Sequence, residues 1–423
     1  MEVAVIGAGY VGLVQAAGLA SLGHRVRVGE NNLQKLELLR VGTSPIYEPD
    51  LETILGEGLA TGLLSFDASN EDAVSDAEVV FVAVPTPQGD NGATDMSIVS
   101  AVFDEIAVKL NEGTLVVFKS TVPVGSVAKY QQYFDERRAG VTVLSNPEFL
   151  REGSAVSDFF HPDRIVIGTT DQGAAERMME LYRGLDAPVV VTDPISSEMV
   201  KYGSNAYLAT RITFANAMAN LAEAVGADVR DVLLGMGYDR RIGHHFLSPG
   251  PGFGGSCFPK DTRALVAIAR EANYDFALLR GVIEVNDEQR HRILEKVIRA
   301  LPAGADGATV GQWGLAFKAG TDDTRDSPAV ALARDLAGLG AHIRAYDPKA
   351  KIDIEGVDLV DDPLDAAKGA DVLLIATEWP DFQAVDLRRV RDLMAGSVIV
   401  DARNILDPDA VRRLGMEYYG VGR

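Results

Sequence analysis

The first thirty residues constrain the fold of this chain more than any other segment. Residues 3–6 (Val-Ala-Val-Ile) form a continuous apolar run, the glycine-rich residues 7–12 follow, and a stretch rich in alanine and leucine comes next. A second apolar run at residues 26–28 ends shortly before Glu30. The order of strand, tight turn, helix, strand and acid is typical of a βαβ unit that binds a dinucleotide. These residues therefore predict an α/β fold that begins with such a unit.

The prediction explains why glycine occupies positions 7, 9 and 12 of the turn. Gly7 permits the tight turn, Gly9 lets the backbone approach a pyrophosphate, and Gly12 allows close packing of helix on strand. Glu30 is expected to bind ribose hydroxyls and to repel a 2′-phosphate, which favours NAD over NADP. A glycine-rich turn in an unrelated α/β domain is the alternative. The contacts expected from this turn to NAD are Gly7, Gly9, Tyr10, Val11 and Gly12.

Further apolar runs alternate with helical stretches along the first half of the chain. They lie at residues 79–84, 115–118, 141–144, 165–167 and 189–191. Such runs predict parallel strands that are buried on both faces of a doubly wound sheet. Ligands of these sheets bind at the carboxyl ends of the strands, so the polar loops 85–87, 119–125 and 146–152 are expected at one rim.

The last third of the chain begins a second set of alternating elements. Strands are predicted at residues 309–315, 342–346, 372–376 and 398–401, with a helix at 328–339. The first turn of this set lacks the glycine fingerprint, so it need not bind a dinucleotide. Lys318, Arg325 and Arg403 follow strands and are candidates for phosphate contacts, although most such side chains are ordinary surface charges.

A long helix is predicted between the two sets, at residues 196–224. Lys201 and Asn205 are four residues apart and so share one face of it. On a surface helix this pair would simply be solvated. A helix of this length is more suited to joining or pairing domains. The predicted domains are 1–195, 196–303 and 304–423.

Cys257 is the only cysteine of the chain. Pro259 suits the first position of a helix, so the thiol is expected just outside a helix N-terminus. The helix end and Lys260 would both favour the reactive thiolate. The alternative is a small buried hydrophobic side chain. A single cysteine also excludes an internal disulfide and suits a reducing compartment.

The net charge and the length of the apolar runs argue against two classes of function, nucleic-acid binding and membrane spanning. With 40 basic and 61 acidic residues the net charge is −21, which argues against a general nucleic-acid binder. The apolar runs are too short to span a bilayer, and the chain enters its first strand at Glu2 without a basic leader. A cytoplasmic protein without a membrane partner is expected, and no residue is assigned to a metal.

The motifs, taken in order, resemble those of the UDP-glucose/GDP-mannose dehydrogenase family over nearly the whole chain. They are residues 7–12, 119–125, 146–153, Lys201 with Asn205, 254–261, 314–318 and 324–328. The resemblance implies two Rossmann-like doubly wound domains, joined by a long central helix and a helical dimerisation region. It also implies an N-terminal NAD domain, a C-terminal nucleotide-binding domain and a homodimer.

The implied reaction is a four-electron oxidation of the C6 primary alcohol of UDP-glucose to UDP-glucuronate, with two NAD molecules used in turn. Oxidising the aldehyde to the acid without releasing it calls for a covalent intermediate. Cys257 would form this intermediate, first as a thiohemiacetal and then as a thioester. Lys201 and Asn205 would stabilise the oxyanions. The resemblance leaves the proton transfers to be divided among Asp261, Glu148 and Thr121.

The resemblance also implies ligand contacts. On the NAD side they are Glu30, Lys35, Thr86, Thr121, Glu152, Lys260 and Arg325. On the nucleotide-sugar side they are Glu148, Phe149, Leu150, Lys201, Asn205, Arg241, Phe246, Leu247, Phe253, Gly254, Lys318 and Arg403. Arg241 would reach in from a second subunit. The chain departs from the family pattern at Glu30, where aspartate is commoner, and at Trp313, where a smaller aliphatic residue is usual and only core packing is expected.

The exact substrate stays open at this point. Phe246 and Leu247, followed by residues 249–253, resemble the UDP-glucose branch, while GDP-mannose and UDP-N-acetylhexosamine are the nearest alternatives. A two-electron β-hydroxyacid dehydrogenase would also pair a lysine with an asparagine on a long helix, but it would not need Cys257. A third alternative is a protein that senses NAD or a nucleotide sugar without turning it over.

Overall fold

The computed structural model describes residues 1–138 and 140–423, with every side chain among them except that of Asp90. The chain divides into two compact units. The first consists of residues 1–204 and 267–272, and the second of residues 205–266 and 273–423. Within the described residues, no helix is both long enough and apolar enough to cross a membrane.

The first unit is a sheet of eight strands, among the described residues, with helices between them. Its elements are β1 (Glu2–Ile6), α1 (Tyr10–Ser21), β2 (Arg25–Gly29), α2 (Leu33–Arg40), α3 (Leu51–Thr61), β3 (Leu64–Asp67), α4 (Asn70–Val74), β4 (Val79–Val82), a 3₁₀ helix (Asp90–Gly92), α5 (Ser97–Ile106), β5 (Leu115–Phe118), α6 (Ser126–Arg137), β6 (Thr142–Ser145), α7 (Ala155–Phe160), β7 (Ile165–Gly168), α8 (Gln172–Leu181) and β8 (Val189–Thr192). The strand order is β3-β2-β1-β4-β5-β6-β7-β8, parallel except between β6 and β7. This places the ends of β4, β5 and β6 side by side, as predicted.

The core of the first unit lies on both faces of the sheet, because successive side chains of a strand point to opposite faces. Val3 and Val5 of β1 belong to one buried cluster, together with Phe81 of β4. Ala4 and Ile6 belong to a second cluster on the other face. The continuous apolar runs of the sequence are therefore explained by burial on both sides.

The strand β8 departs from that prediction. Val189, Val190 and Val191 are 40%, 45% and 46% exposed. The strand forms where it was predicted, but it lies at the end of the sheet order, beside β7. The expectation that these valines are buried on both faces is wrong, because an edge strand has neighbours on fewer sides.

The long helix α9 (Pro194–Val225) matches the predicted one and continues from the first unit into the second. The other elements of the second unit are α10 (Val229–Gly237), α11 (Phe258–Glu271), α12 (Ala277–Ala300), β9 (Thr309–Trp313), α13 (Pro328–Gly338), β10 (His342–Tyr346), β11 (Val357–Leu359), α14 (Pro363–Ala367), β12 (Val372–Ile375), α15 (Pro380–Gln383), α16 (Leu387–Leu393), β13 (Val398–Asp401), α17 (Pro408–Arg413) and β14 (Glu417–Tyr419). The last turn of α11 belongs to the first unit. A parallel sheet in the order β11-β10-β9-β12-β13-β14 confirms the predicted second α/β region.

Trp313 packs in the core of the second unit, which confirms the expectation for that position. It is fully buried, and its ring lies 5.2 Å from the ring of Phe382. The indole Nε1 donates a hydrogen bond to the carbonyl of Pro363 at 2.8 Å. A buried tryptophan needs such a partner for its N–H. The predicted domain boundaries at 195/196 and 303/304 stay predictions.

Candidate active site

The turn between β1 and α1 uses its glycines in two different ways. Gly7 has φ +98°, and an added Cβ would lie 2.9 Å from the carbonyl oxygen of Ala83. A Cβ on Gly12 would lie 1.8 Å from the carbonyl oxygen of Gly7. These two positions require glycine for the chain's own backbone. A Cβ on Gly9 would meet no atom within 4 Å, so the space in front of the first turn of α1 fits a ligand pyrophosphate.

Glu30 follows β2 directly and is held in one orientation. Its Oε1 accepts a hydrogen bond from the backbone N–H of Asn32 at 2.9 Å, and its Oε2 lies 3.1 Å from Nζ of Lys35. The residue is only 9% exposed. A fixed carboxylate at the end of the second strand suits the ribose hydroxyls of NAD. Lys35 therefore lies beside Glu30, and the contact of both residues with NAD stays a prediction.

The loops after β4 and β5 are tied together, as predicted for one rim of the sheet. The hydroxyl of Thr86 donates to the carbonyl of Thr121 at 2.9 Å. The hydroxyl of Ser120 donates to the carbonyl of Val84 at 2.7 Å. Thr86 and Thr121, both expected to contact NAD, thus lie side by side.

Lys201 and Glu148 form a buried ion pair in the first unit. Nζ of Lys201 lies 2.7 Å from Oε1 of Glu148, and both residues are more than nine-tenths buried. Burial alone would raise the pKa of the Glu148 carboxyl, but the Lys201 charge, its hydrogen bond and the N–H of Leu150 together lower that pKa. Glu148 is therefore an ionised partner that keeps the Lys201 ammonium in place.

Phe149 lies between two cations. The guanidinium carbon of Arg164 is 3.5 Å from the centre of the Phe149 ring, and Nζ of Lys201 is 5.6 Å from it. Both contacts are within the range of cation–π attraction. The sequence predicts no role for Arg164, because its position directly before β7 does not indicate this stacking.

Lys119 is a second buried cation that sequence reasoning left without a role. Its Nζ donates to Oδ1 of Asn146 at 2.9 Å and to the hydroxyl of Tyr182 at 3.3 Å. Burial lowers the pKa of Lys119 to about 7, helped by the charge of Lys201 and opposed by that of Glu148. The one sequence feature that could have indicated its burial is its position directly after the apolar strand β5, because the backbone there is still in the core.

The remaining NAD and sugar positions of the first unit lie in nearby segments. Glu152 and Leu150 lie in the loop between β6 and α7. The carboxylate of Glu48 accepts hydrogen bonds from the N–H groups of Gly153 at 2.6 Å and Ala155 at 2.7 Å, which fixes that end of the loop.

Cys257 immediately precedes α11 in the second unit, which confirms its predicted place at a helix N-terminus. Its carbonyl accepts the N–H of Asp261 at 2.8 Å, as in the first turn of a helix. The residue is partly exposed, and its Sγ lies 3.5 Å from the hydroxyl of Ser256. Gly255, with φ +81°, donates its N–H to the carbonyl of Arg325 at 3.0 Å.

Asp261 is the most deeply buried of the predicted catalytic residues in the second unit, at 1% exposed. Its Oδ2 accepts from Nδ2 of Asn205 at 2.6 Å, and its Oδ1 accepts from Nζ of Lys260 at 2.6 Å. The structure thus joins three predicted residues in one hydrogen-bonded chain. Asn205 is itself 6% exposed, so the alternative that it is a solvated surface residue is wrong.

The cations of the last sheet are partly bound to the chain itself. Arg403 donates to the carbonyls of Ala376 at 3.0 Å and Phe317 at 2.7 Å, and it is paired with Glu378 at 3.0 Å. Nζ of Lys318 lies 5.7 Å from the ring of Phe317. The guanidinium of Arg325 is bound by the carboxylate of Asp323.

The aromatic part of the second unit surrounds the start of α11. The rings of Phe246 and Phe253 lie 6.4 Å and 6.0 Å from that of Phe258. Leu247 and Phe253 are buried, whereas Phe246 has φ +58°, an unfavourable left-handed conformation for a large side chain. A Cβ on Gly254 would lie 2.2 Å from the carbonyl oxygen of Asp326.

Arg241 is placed differently from the other predicted residues. Its side chain is 89% exposed and is paired with Asp239 on the surface. Among the described residues, no group of three or more His, Cys, Asp and Glu side chains could hold a metal ion.

Three domain models of the UDP-glucose/GDP-mannose dehydrogenase family match this chain in sequence order. The NAD binding domain matches residues 1–186. The central domain matches residues 195–288, and the UDP binding domain matches residues 311–408. Lys201, Asn205 and Cys257 therefore fall within the match to the central domain.

Individual proteins are similar over the full length. A UDP-glucose 6-dehydrogenase of Bacillus subtilis (strain 168) is 44% identical over 431 residues, which cover 100% of this chain and 98% of that protein. The structure of a UDP-glucose dehydrogenase from the archaeon Pyrobaculum islandicum has a TM-score of 0.91 and 40% identity, covering 99% of this chain and 97% of that one. A UDP-D-ManNAc dehydrogenase from Pyrococcus horikoshii has a TM-score of 0.90 and 28% identity, covering 100% and 99%.

Proposed function

This chain belongs to the UDP-glucose/GDP-mannose dehydrogenase family, and from that premise we propose that it oxidises UDP-glucose to UDP-glucuronate with two molecules of NAD. Its identity to the relatives named for UDP-glucose is higher than to the one named for UDP-D-ManNAc, which supports this substrate. GDP-mannose and UDP-N-acetylhexosamines are the alternatives.

The first unit is the part that holds NAD in this proposal. Gly9 leaves room for the pyrophosphate at the N-terminus of α1, and Glu30 presents a fixed carboxylate to a ribose. Bound NAD supplies the electron acceptor of each oxidation. A 2′-phosphate would meet the negative charge of Glu30, so NADP is expected to bind more weakly.

Cys257 carries the proposal, because a thiol at the N-terminus of α11 suits an oxidation in which the aldehyde is bound covalently before it is oxidised again. The first oxidation removes two electrons and two protons from the C6 alcohol and gives an aldehyde. The thiolate adds to the aldehyde carbon, and protonation of the oxygen gives a thiohemiacetal. The second oxidation gives a thioester, which water cleaves to the acid and the thiol.

The catalytic residues proposed in each unit suit the charges that develop. Lys201 would stabilise the alkoxide and the later oxyanions by its charge, and Asn205 would add a hydrogen bond. Glu148, held ionised by Lys201, can accept a proton, and Asp261 is bound to Asn205 and Lys260. Thr121 would act through a bound water. The division of proton transfers among these groups is part of the proposal.

The second unit is proposed to bind the nucleotide part of the substrate. Lys318 and Arg403 follow β9 and β13, at the carboxyl ends of parallel strands where phosphates are commonly bound. Phe246, Leu247 and Phe253 would pack against the sugar and base. The partial exposure of the Arg403 side chain, at 16%, leaves it accessible to a ligand.

We further propose that the enzyme is a homodimer in the cytoplasm. On α9, Tyr207, Phe214 and Leu221 are spaced by seven residues and are 61%, 48% and 55% exposed. Apolar side chains at this spacing form one stripe along a helix and favour pairing with another apolar surface. A second copy would also bring a surface to the exposed Arg241 side chain, which within its own chain is paired with Asp239. The lone cysteine suits the reducing cytoplasm.

The proposal is tested by the stoichiometry of reduction. The purified protein, incubated with UDP-glucose and excess NAD, is expected to form two NADH for each sugar consumed. One NADH with accumulated aldehyde would instead identify a two-electron dehydrogenase. Absence of NADH with UDP-glucose, GDP-mannose and UDP-N-acetylhexosamines alike would identify a binding protein.

The role of the thiol is tested by Cys257→Ala. Acid formation should fall by at least about a thousandfold, because the covalent hold is lost. The affinity for NAD should stay at the wild-type value, since the proposed NAD residues around Gly9 and Glu30 are unchanged. A purely structural cysteine would give only a small loss of stability and normal acid formation.

A further inference from the structure

The segment before the thiol has a composition that gives it little structure of its own. Residues 248–253 read Ser-Pro-Gly-Pro-Gly-Phe and precede Cys257 by only a few positions. The two prolines have no N–H to donate, and the two glycines have the greatest backbone freedom. Such a segment must be held by other parts of the protein if the thiol is to have a fixed position.

Three side-chain amides hold it, and all belong to the second unit. The N–H of Gly250 donates to Oδ1 of Asn216 on α9 at 2.8 Å, and its carbonyl accepts from Nε2 of Gln289 on α12 at 2.8 Å. The N–H of Phe253 donates to Oδ1 of Asn286 on α12 at 2.7 Å, and its carbonyl accepts from Nδ2 of the same residue at 3.3 Å. We call Asn216, Asn286 and Gln289 the amide clamp.

Two of the three clamp residues are buried, and Asn286 is partly buried. Asn216 and Gln289 are both fully buried. Nδ2 of Asn220 donates to Oε1 of Gln289 at 2.8 Å, which leaves the Nε2 of Gln289 directed at Gly250. Within the part of the chain that the structure describes, Nδ2 of Asn216 is buried without a hydrogen-bond partner. A buried unpaired donor is unfavourable, so an apolar residue would suit this site better if it served packing alone.

The other side of the segment rests on the turn before α13. A Cβ on Gly254 would lie 2.2 Å from the carbonyl oxygen of Asp326, and Gly255 bonds to the carbonyl of Arg325. A cavity of about 300 Å³ is lined by Pro251, Phe253 and Asn286, among others. The segment therefore has room to shift on the Asn286 side once the amide is removed.

We propose that Asn216, Asn286 and Gln289 are positioning residues of the oxidation, which fix residues 250–253 and thereby the place of Cys257 relative to the aldehyde. This inference rests on the proposed function. Its main consequence is for the second oxidation, because the first needs no thiol; the looser hold on Phe253 should in addition raise the KM for UDP-glucose. Loosening the segment therefore releases aldehyde before the thiohemiacetal forms.

Asn286→Ala removes both bonds to Phe253 and is the decisive variant. With UDP-glucose and excess NAD, NADH per sugar is expected to fall from two towards one, with aldehyde trapped by semicarbazide. The kcat for acid formation should fall by at least about tenfold, and the affinity for NAD should not change. Glu284→Ala, at an exposed position of the same helix, is the matched control and should behave as wild type.

Two conservative variants separate positioning from folding. Asn286→Asp keeps the acceptor for the Phe253 N–H and loses the donor, so its NADH ratio should lie between those of Asn286→Ala and wild type. Gln289→Glu keeps the size and the acceptor for Asn220 but loses the donor to Gly250. If Asn286→Ala does not fold, these two variants decide the question by the same ratio.

The outcomes distinguish the two proposals. An active wild type with variants that keep two NADH per sugar and a normal kcat overturns the positioning role alone. A lower melting temperature with an unchanged NADH ratio also overturns it, because that is the signature of a structural residue. A wild type that forms no NADH from UDP-glucose overturns the proposed function and this inference with it.

Discussion

The strand order of the second sheet matches that of the first six strands of the first sheet. The two sheets differ in the turn that follows the first strand of each unit. The order β3-β2-β1-β4-β5-β6 of the first unit corresponds to β11-β10-β9-β12-β13-β14 of the second. In the first unit α1 starts at Tyr10, close behind β1, and Gly9 brings no side chain to its N-terminus. In the second unit α13 starts only at Pro328, and the hydroxyl of Ser327 accepts the N–H of Val330.

An acidic residue follows the second strand of each sheet, Glu30 after β2 and Asp347 after β10. The two carboxylates differ in whether they bond back to the turn after the first strand. Glu30 bonds to residues that follow it, Asn32 and Lys35, and leaves the glycine turn open. Asp347 turns back and accepts the N–H groups of Leu315 at 2.7 Å and Ala316 at 2.9 Å. The backbone donors that a pyrophosphate would need are thus taken by the chain itself. One topology can therefore bind a dinucleotide or exclude it, depending on where this carboxylate points.

The largest expected effect comes from removing the acid that closes the second turn. Asp347→Ala leaves the buried N–H groups of Leu315 and Ala316 unpaired, and we expect a loss of about 3 kcal/mol in the free energy of unfolding. NAD affinity should be unchanged, because the glycine turn of the first unit is intact. Denaturant titration and NAD binding measure the two effects.

Asp361→Ala, at a fully exposed carboxylate, is the control for the charge change and should have little effect on stability. A loss of NAD affinity in Asp347→Ala that matches its loss of stability would show that the second turn is not independent of NAD binding.

The second prediction concerns the cations that follow corresponding strands, Lys119 after β5 and Arg403 after β13. The folded pKa of Lys119, about 7, lies below its ordinary value of 10.5. Between these values the unfolded chain binds a proton that the folded chain does not, so stability rises as the pH rises. Lys119→Met should remove about 2 to 3 kcal/mol of this rise between about pH 8 and pH 10.

Arg403→Met should leave the slope unchanged, because a guanidinium stays charged over this range. Lys109→Met, at an exposed lysine, controls for the loss of an ammonium group. The measurement is the free energy of unfolding against pH for all four proteins. Equal slopes in wild type and Lys119→Met would contradict the prediction.

The third prediction isolates the open turn of the first unit. Gly9→Ala adds a methyl group where the protein has no atom within 4 Å, so the melting temperature should be unchanged. NAD affinity should fall by at least about tenfold, or ~1.4 kcal/mol, because the backbone can no longer approach the pyrophosphate. Gly235→Ala, in a helix and also without near atoms, is the control. Normal NAD affinity in Gly9→Ala would show that this space is not the pyrophosphate site.

The smallest expected effect concerns the choice between NAD and NADP. Glu30→Gln keeps the size of the side chain and removes its charge, so the preference for NAD should weaken by about threefold to tenfold. Glu37→Gln, at an exposed position of α2, should keep the wild-type preference. The ratio of kcat/KM for the two cofactors is the measurement, and an unchanged ratio in Glu30→Gln would contradict the role of this charge.

Local sequence signals predicted much of this structure because the chemistry they report is local. The glycine turn, the apolar strands and the place of Cys257 before α11 all depend on residues that are near one another in the sequence. The prediction for residues 189–191 was wrong in burial and right in position, since only the sheet order decides which strand is at an edge.

Contacts between residues that are far apart in the sequence could not be predicted from local patterns. Asp347 could be recognised as an acid after a strand, but its bonds to Leu315 and Ala316 depend on the path of the turn. Likewise Asn286 on α12 meets Phe253 across a separation of 33 residues. The burial of Lys201 and Asn205 needed the packing of α9, because a lysine and an asparagine on a helix look the same in sequence whether they are solvated or buried.

The negative charge of the chain opposes aggregation through the exposed strand β8. Three neighbouring valines at the edge of a sheet invite pairing between molecules, which would lead to aggregation. A net charge of −21 makes the molecules repel one another and opposes that encounter. Salt screens this repulsion, and protonation of carboxylates removes it. The colloidal stability of the protein should therefore be lowest in concentrated salt near its isoelectric point, about pH 4.7.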